Sequence, residues 1–382
     1  MTGPDVFIVA DNVVSPLGKT TADNFSNIKK NSSAVKQHRD VKMSASPFYA
    51  SLFGSHERFI SGGTDNYTKF EQLLIASIRE ALKDSGIDAG DKRTVVIIST
   101  TKGNISLLET ETNTAALQKR IALTTSATLV SENVGFINRP IVISNACISG
   151  VLAIITGMRL LRSGQYENAV IAGADVISKF ILSGFESFQA LSPQGCKPFD
   201  RSRDGLNLGE GAATIILSTN NKYNQSRTSR IKVKGGSVSN DANHISGPSR
   251  TGKELAYAIE TAMRDAGVSP GAIGFISAHG TATIFNDEME ANAFHLTGLQ
   301  SVPLNSLKGY YGHTLGAAGL IESVISVRSL EEGLVLSTMG FEEQGETNRL
   351  TICASHQNLN GTDFLKTASG FGGCNAALVI GK

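Results

Sequence analysis

Two hydrophobic rhythms alternate along the chain. Short apolar or β-branched runs stand at Val6–Ala10, Thr94–Ser99, Ile141–Ser144, Ala169–Ala172, Ala213–Leu217, Ile231–Gly235, Phe275–Ser277, Leu350–Ala354 and Ala376–Ile380. Runs this short and continuous predict strands buried on both faces. Helical patterns lie between them. Lys69–Ser85 ends in a Ser-Gly stop, Gly150–Ser163 ends at Gly164, and Thr251–Ala266 ends at Gly267, each the kind of residue that closes a helix. Strand–helix alternation predicts α/β layers with crossover connections. The polar stretch 219–230 (TNNKYNQSRTSR) is the best linker or surface turn. It predicts an N-terminal half, 1–225, and a C-terminal half, 226–382. A faint echo links the halves: VISNACISGVLAIITGMRLLRSG in the first, LNSLKGYYGHTLGAAGLIESVISVRSLEEG in the second. Each reads as a strand, a turn of small residues and a helix with Gly or Ala near its start, and either chance or duplication explains that.

Composition narrows the class. The 382 residues allow two domains or one large α/β unit. Charged residues are 18%, below the usual share of about 25%. So little charge suits a compact protein that also buries surface in an oligomer. The net charge of +1 provides no basic field for nucleic acid or anionic lipid, so neither is an expected partner. A hydrophobic content of 41% argues against disorder. The N-terminal MTGPDVFIVADN lacks a basic region and its apolar run is too short for a signal peptide. The least charged stretch, Pro140–Met158, holds Ser, Asn, Thr and Gly and is a poor membrane span. The expectation is a soluble, cytoplasmic protein. Cys147, Cys196, Cys353 and Cys374 form no CxxC pair, which points to buried or catalytic thiols rather than disulfides or a metal site.

Three residues carry candidate chemistry. Cys147, in SNACISG, follows a strand and precedes an apolar helix. The positive end of that helix favours thiolate, and its free N–H groups suit an oxyanion; a small buried cysteine in a tight turn is the plain alternative. His279 follows the run Phe275–Ser277, and His313 lies between another strand and helix. Alone, each reads as a structural histidine. Together with Cys147 they mark one kind of place, the C-terminal ends of strands, where open α/β sheets collect catalytic groups. Lys308 lies five residues before His313 among nearly uncharged neighbours. Two motifs fail inspection. Gly247–Lys253 mimics a phosphate loop but is followed by Glu254 rather than Ser or Thr, and HGTATIFNDEME lacks zinc-protease spacing.

With these residues assembled, the sequence resembles the β-ketoacyl-[acyl carrier protein] synthases of the thiolase superfamily. The resemblance runs from VVSPLG (13–18) to GFGGCNAALVI (370–380). Between them come NACISG, KPFDRSRDGLNLGEGAA (197–213), SNDANH (239–244), AHGTATIFNDEME (278–290) and NSLKGYYGHTLGAAG (305–319), in the family's order and spacing. It implies a five-layer αβαβα sandwich of two similar halves. It also implies a decarboxylative Claisen condensation that extends an acyl thioester by two carbons at the expense of malonyl-acyl carrier protein. Position by position, Cys147 becomes the acyl acceptor, while His279 and His313 stabilise the enolate. Lys308 supports the histidine network, Glu290 hydrogen-bonds with it, and Asp287 is its near neighbour. The amides of Cys147 and Phe371 form the oxyanion hole, and Phe371 resembles a gate. Thr281, Thr283 and Gly372 fall at substrate-binding positions. No dissociable cofactor is implied, since the carrier's phosphopantetheine arm delivers each substrate. The acyl carrier protein and a second ketosynthase-like subunit, in a homodimer or heterodimer, are the implied partners. The alternative is a catalytically silent partner subunit that sets chain length; a non-elongating acyltransferase is opposed by the two-histidine pattern.

Several positions depart from the family pattern. Ala282 stands where Gly or Ser is usual, Ile284 where Pro is usual, and Cys374 where Thr is usual; Tyr310 and Tyr311 are bulkier than common. Lys102, in STTKGNISLLE, stands near a position where related elongating synthases often carry an apolar residue, where the partner subunit closes the acyl pocket. A cation there disfavours a long alkyl tail and suits a polar, aryl or acidic chain end. These departures tilt the reading from primary fatty acid synthesis towards a secondary polyketide or aryl-polyene pathway.

Overall fold

The computed structural model describes residues 3–54, 57–60, 66–83, 85–226, 230–242 and 247–382. His244 of the SNDANH motif, Asp84 of the first predicted helix and residues 227–229 of the linker therefore lie outside the described residues. Among the described residues, eleven strands form the large sheet, and five of them belong to the N-terminal half: β1 (Phe7–Val14), β2 (Thr94–Ser99), β3 (Ile141–Ile143), β4 (Asn168–Asp175) and β5 (Gly211–Ser218). The other six of that sheet belong to the C-terminal half: β6 (Lys232–Asn240), β7 (Ile273–Ser277), β8 (Pro303–Asn305), β9 (Thr351–Ile352), β10 (Asp363–Gly370) and β11 (Cys374–Gly381). All nine apolar runs in the sequence fall in these strands. The two not foreseen as apolar runs, β8 and β10, are respectively short and interrupted by Lys366 and Thr367.

The strands run in the order β9-β8-β7-β10-β11-β6-β1-β5-β4-β2-β3. The halves meet edge to edge between β1 and β6, where one pair, Phe7 with Lys232, is in register. Each half repeats one pattern. Pairing is antiparallel in β1–β5–β4 and parallel in β4–β2–β3. Likewise it is antiparallel in β6–β11–β10 and parallel in β10–β7–β8. The sequence echo is therefore a repeat of topology.

The helices among the described residues include α1 (Lys69–Lys83), α2 (Leu123–Val134), α3 (Ser149–Arg162), α4 (Lys179–Ser187), α5 (Lys253–Ala266), α6 (Ile284–Leu296) and α7 (Ala318–Glu332). Helix α1 covers the outer face of the N-terminal strands with α2 beside it, and α5 covers that of the C-terminal strands with α6 beside it. Helices α3 and α7 pack on one another and on strands of both halves. The result is a five-layer αβαβα sandwich. The central position explains the sequence of α7, AGLIESVISVRSLEE, which is buried almost throughout and has no polar face.

Candidate active site

Cys147 sits in the turn between β3 and α3. Ser149 Oγ clamps that turn, accepting from the Asn145 amide at 2.8 Å and donating to the Ala146 carbonyl at 2.6 Å. Ala146 takes a left-handed φ of 43°, a strained conformation that tends to mark functional sites. The amide of Cys147 faces Gly370, where an added Cβ would stand 3.0 Å from that nitrogen. Glycine there keeps the approach to the amide open. Burial pushes the thiol up to about 12; the nearby Lys308 and, more weakly, Lys102 pull it down. The helix start alone thus does not produce a free thiolate, because desolvation outweighs it. A base must take the proton, and His313 Nε2 lies 3.0 Å from Cys147 Sγ.

His313 is held by its backbone. Its amide donates to Asn207 O at 2.6 Å and its carbonyl accepts from the Gly209 amide at 3.0 Å. Its Nδ1 has no hydrogen-bond partner among the described residues. Neither tautomer is therefore locked, so Nε2 is free to accept a proton or to donate one. The ring of His279, at the C-terminal end of β7, stands edge-on to it at 5.3 Å between centroids. Its Nδ1 faces the ammonium of Lys308 at 3.3 Å. An ammonium can only donate, so Nδ1 accepts and Nε2 carries the hydrogen. Both imidazoles are held well below the usual histidine range, first by burial and then by Lys308.

Charged side chains hold the backbone around His279. Lys308 Nζ donates to His279 O at 2.5 Å and to Glu322 Oε1 at 2.7 Å. Glu290, on α6, accepts the amides of His279 at 2.9 Å and Gly280 at 2.7 Å, with Thr367 Oγ1 at 2.8 Å. Its partners are thus the backbone of the histidine segment rather than an imidazole. Asp287, one helical turn earlier, accepts the amides of Thr281 at 2.9 Å, Ala282 at 3.1 Å and Phe199 at 2.8 Å; its spacing from Glu290 puts both carboxylates on one face. Gly280 has a φ of +42° and no room for a Cβ, which would stand 2.6 Å from Ser306 Cβ. Burial raises Asp287 to about 6 against those hydrogen bonds.

A cavity of about 530 Å³ joins these groups, lined by Cys147, His279, His313, Thr281, Thr283 and Phe371 among others. The Phe371 ring stacks on Phe185 at 5.7 Å and meets Phe188 edge-on at 5.4 Å. Gly372 and Lys102 do not line the cavity. Gly372 lies in the turn beside Phe371 with a φ of +86°. Lys102 is exposed in the single chain, in the loop after β2. Buried Asp175 anchors that loop, accepting from Thr100 Oγ1 at 2.8 Å and the Thr101 amide at 3.1 Å, and joins it to the Gly316 amide at 2.7 Å. Sequence reasoning missed Asp175, Phe185, Phe188, Glu322 and Lys366. The last two carried a signal, a single charge inside an otherwise uncharged run: Glu322 in GAAGLIESVIS and Lys366 in FLKTASG.

Two family models match the chain. The beta-ketoacyl synthase N-terminal domain matches residues 4–222, and its C-terminal domain matches residues 231–342. The chain belongs to the β-ketoacyl synthase family. It is 30% identical to 3-oxoacyl-[acyl-carrier-protein] synthase 2 of Vibrio cholerae serotype O1, over 98% of each chain. The ketoacyl synthase alpha subunit of the tetracenomycin polyketide synthase of Streptomyces glaucescens is 29% identical, over 83% of this chain and 82% of its own. Among solved structures, a chain of the ishigamide ketosynthase/chain length factor matches with a TM-score of 0.90 and 25% identity, over 100% of this chain and 99% of its own. The synthase condenses an acyl thioester with malonyl-acyl carrier protein, releases CO₂ and yields a β-ketoacyl chain two carbons longer. Among the described residues no helix is long and apolar enough to cross a membrane.

Proposed function

We propose that Cys147 carries the acyl chain and that His279 and His313 drive decarboxylation. One observation carries this reading. The Cys147 sulfur lies 3.0 Å from His313 Nε2, and the His279 ring stands beside it in the same cavity. In the first half-reaction His313 takes the thiol proton while sulfur attacks the carrier thioester, and the departing carrier thiol receives that proton. In the second, malonyl-carrier protein binds beside the two imidazoles. The bond to its carboxylate breaks, CO₂ leaves, and the electron pair becomes an enolate facing His279 Nε2–H and His313 Nε2–H. The enolate carbon forms a bond to the Cys147 thioester carbon, and the departing thiolate takes a proton from solvent to restore the thiol. The amides of Cys147 and Phe371 receive the acyl oxygen, Phe371 gates the site, and Thr281 and Thr283 border the carrier arm.

The same reading needs no dissociable cofactor, since phosphopantetheine brings both substrates. The partners are an acyl carrier protein and a second ketosynthase-like chain, in the cytoplasm. This reading keeps the division of the two halves at residues 225 and 226, which the polar composition of 219–230 supports. A secondary polyketide or aryl-polyene pathway is favoured by exposed Lys102, whose charge reaches Cys147 and which a partner subunit would cover. A silent chain-length subunit is disfavoured, because Cys147, His279, His313 and Lys308 are assembled in contact. Intact mass after offering mixed acyl-carrier proteins identifies the chain on Cys147, and CO₂ release from malonyl-carrier protein reports the second step. Absence of any adduct on Cys147, or no loss of condensation in Cys147→Ala, sinks the reading.

A further inference from the structure

The site contains one more buried ammonium than this reaction scheme uses. Lys366 lies on β10, in register with Ser277 of β7, and is wholly buried. Its Nζ donates to the carbonyls of Ser277 and Ala278, each at 3.1 Å. It also faces Glu322 Oε2 at 2.6 Å, as a charge contact off the line of a hydrogen bond. Lys308 takes the next carbonyl, that of His279, and the other oxygen of Glu322. The two lysines therefore hold three consecutive carbonyls leading to the His279 side chain. Glu290 holds the amides of His279 and Gly280 from the opposite side. Chance does not readily place an ammonium here, since a buried charge is tolerated only when paired and hydrogen-bonded. The charged and titratable groups around it are Glu322, Lys308, Glu290, His279 and His313, with Tyr311 facing Glu322.

We propose that Lys366 is a positioning residue for the decarboxylation step, which with Lys308 fixes the His279 segment and keeps both imidazoles neutral N–H donors. Two cations behind the rings disfavour imidazolium. They also place positive potential where enolate charge develops, and no reorganisation is needed during the reaction. The proposal rests on the Cys147–His279–His313 assignment above. Burial lowers the Lys366 ammonium from its usual value, and Glu322 opposes that shift, consistent with a cation kept by its partners.

The test separates the half-reactions in Lys366→Met. CO₂ release from malonyl-carrier protein should fall about tenfold, while acylation of Cys147 changes less than about twofold. The acidic limb of the decarboxylation profile should move to higher pH, because losing a neighbouring cation lets the imidazoles bind protons more readily. Equal losses in both steps, or an unmoved acidic limb, overturn the proposal. If Lys366→Met does not fold, Lys366→Gln keeps a donor for the carbonyls without the charge. Histidine ring titration by ¹⁵N NMR then reads the effect: a raised His279 midpoint is expected, and an unchanged one overturns the proposal. His279→Ala separates the two levels. If it retains decarboxylation, the site assignment itself fails. If it is inactive while Lys366→Met behaves as wild type, this inference alone fails.

Discussion

At the scale of the residue, the site combines strain with desolvation. Six non-glycine residues among those described have positive φ, and five of them, Ala146, Gln189, Phe199, Ala282 and Leu315, surround the cavity or its histidines. Ala282, at φ 61°, stands where the family usually has Gly or Ser. A left-handed non-glycine residue costs about 1–2 kcal/mol, so Ala282→Gly should stabilise the fold by about 1 kcal/mol after the added freedom of the unfolded chain is counted. Urea unfolding measures that, and a destabilised variant contradicts it. Desolvation governs Cys147. Its thiol is pushed up to about 12, so alkylation by a neutral reagent should keep rising through pH 9–10 without a plateau near the ordinary thiol range. A plateau near pH 7, followed by mass spectrometry, would show a preformed thiolate instead. Both imidazoles are depressed below their usual 6.5. The neutral forms therefore persist on acidification, and decarboxylation should hold its rate to below pH 6.5.

At the scale of the element, helix α6 is the scaffold of the histidine segment. Its buried face presents Asp287 and Glu290 to amides of residues 279–282, in place of the apolar stripe that periodicity looks for. This is why hydrophobic spacing does not reveal it as a helix. Strand β10 is hidden for the same reason, since Lys366 and Thr367 interrupt its apolar run to meet carboxylates on opposite faces of the sheet, Glu322 and Glu290. Asp287→Ala leaves three buried amides without acceptors, a loss of about 3 kcal/mol or more at the general cost of an unsatisfied group. Thermal unfolding should show it, together with reduced decarboxylation. A variant of wild-type stability would mean that solvent enters and replaces the carboxylate.

At the scale of the molecule, the two halves do different chemistry with one topology. Cys147 follows β3 and His313 follows β8, which occupy equivalent places in the repeat; His279 follows β7 as Lys102 follows β2. The outer edge of the N-terminal half is β3, whose three residues, Ile141–Ile143, are only half-buried. An open apolar edge invites pairing with another chain, and Lys102 lies exposed in the loop of the neighbouring strand. The synthase should therefore sediment at twice the mass of one chain, and Val142→Lys should shift it to monomer. A dimer indifferent to Val142→Lys would place the interface elsewhere.

The sequence by itself determined the α/β class and the family and singled out Cys147, His279 and His313 as candidates, because buried strands and the tight turns after them are local patterns that neighbouring residues specify, whereas the topology settled the echo between the halves as a repeat. Tertiary structure alone decided which charges meet. Lys308, Glu322 and Lys366 belong to three elements, and only the packing of α7 against strands of both halves brings Glu322 to both ammonium groups. Local context likewise favoured a thiolate at Cys147, whereas the depth of burial, a property of the whole fold, raises the thiol and sets it 3.0 Å from His313 Nε2.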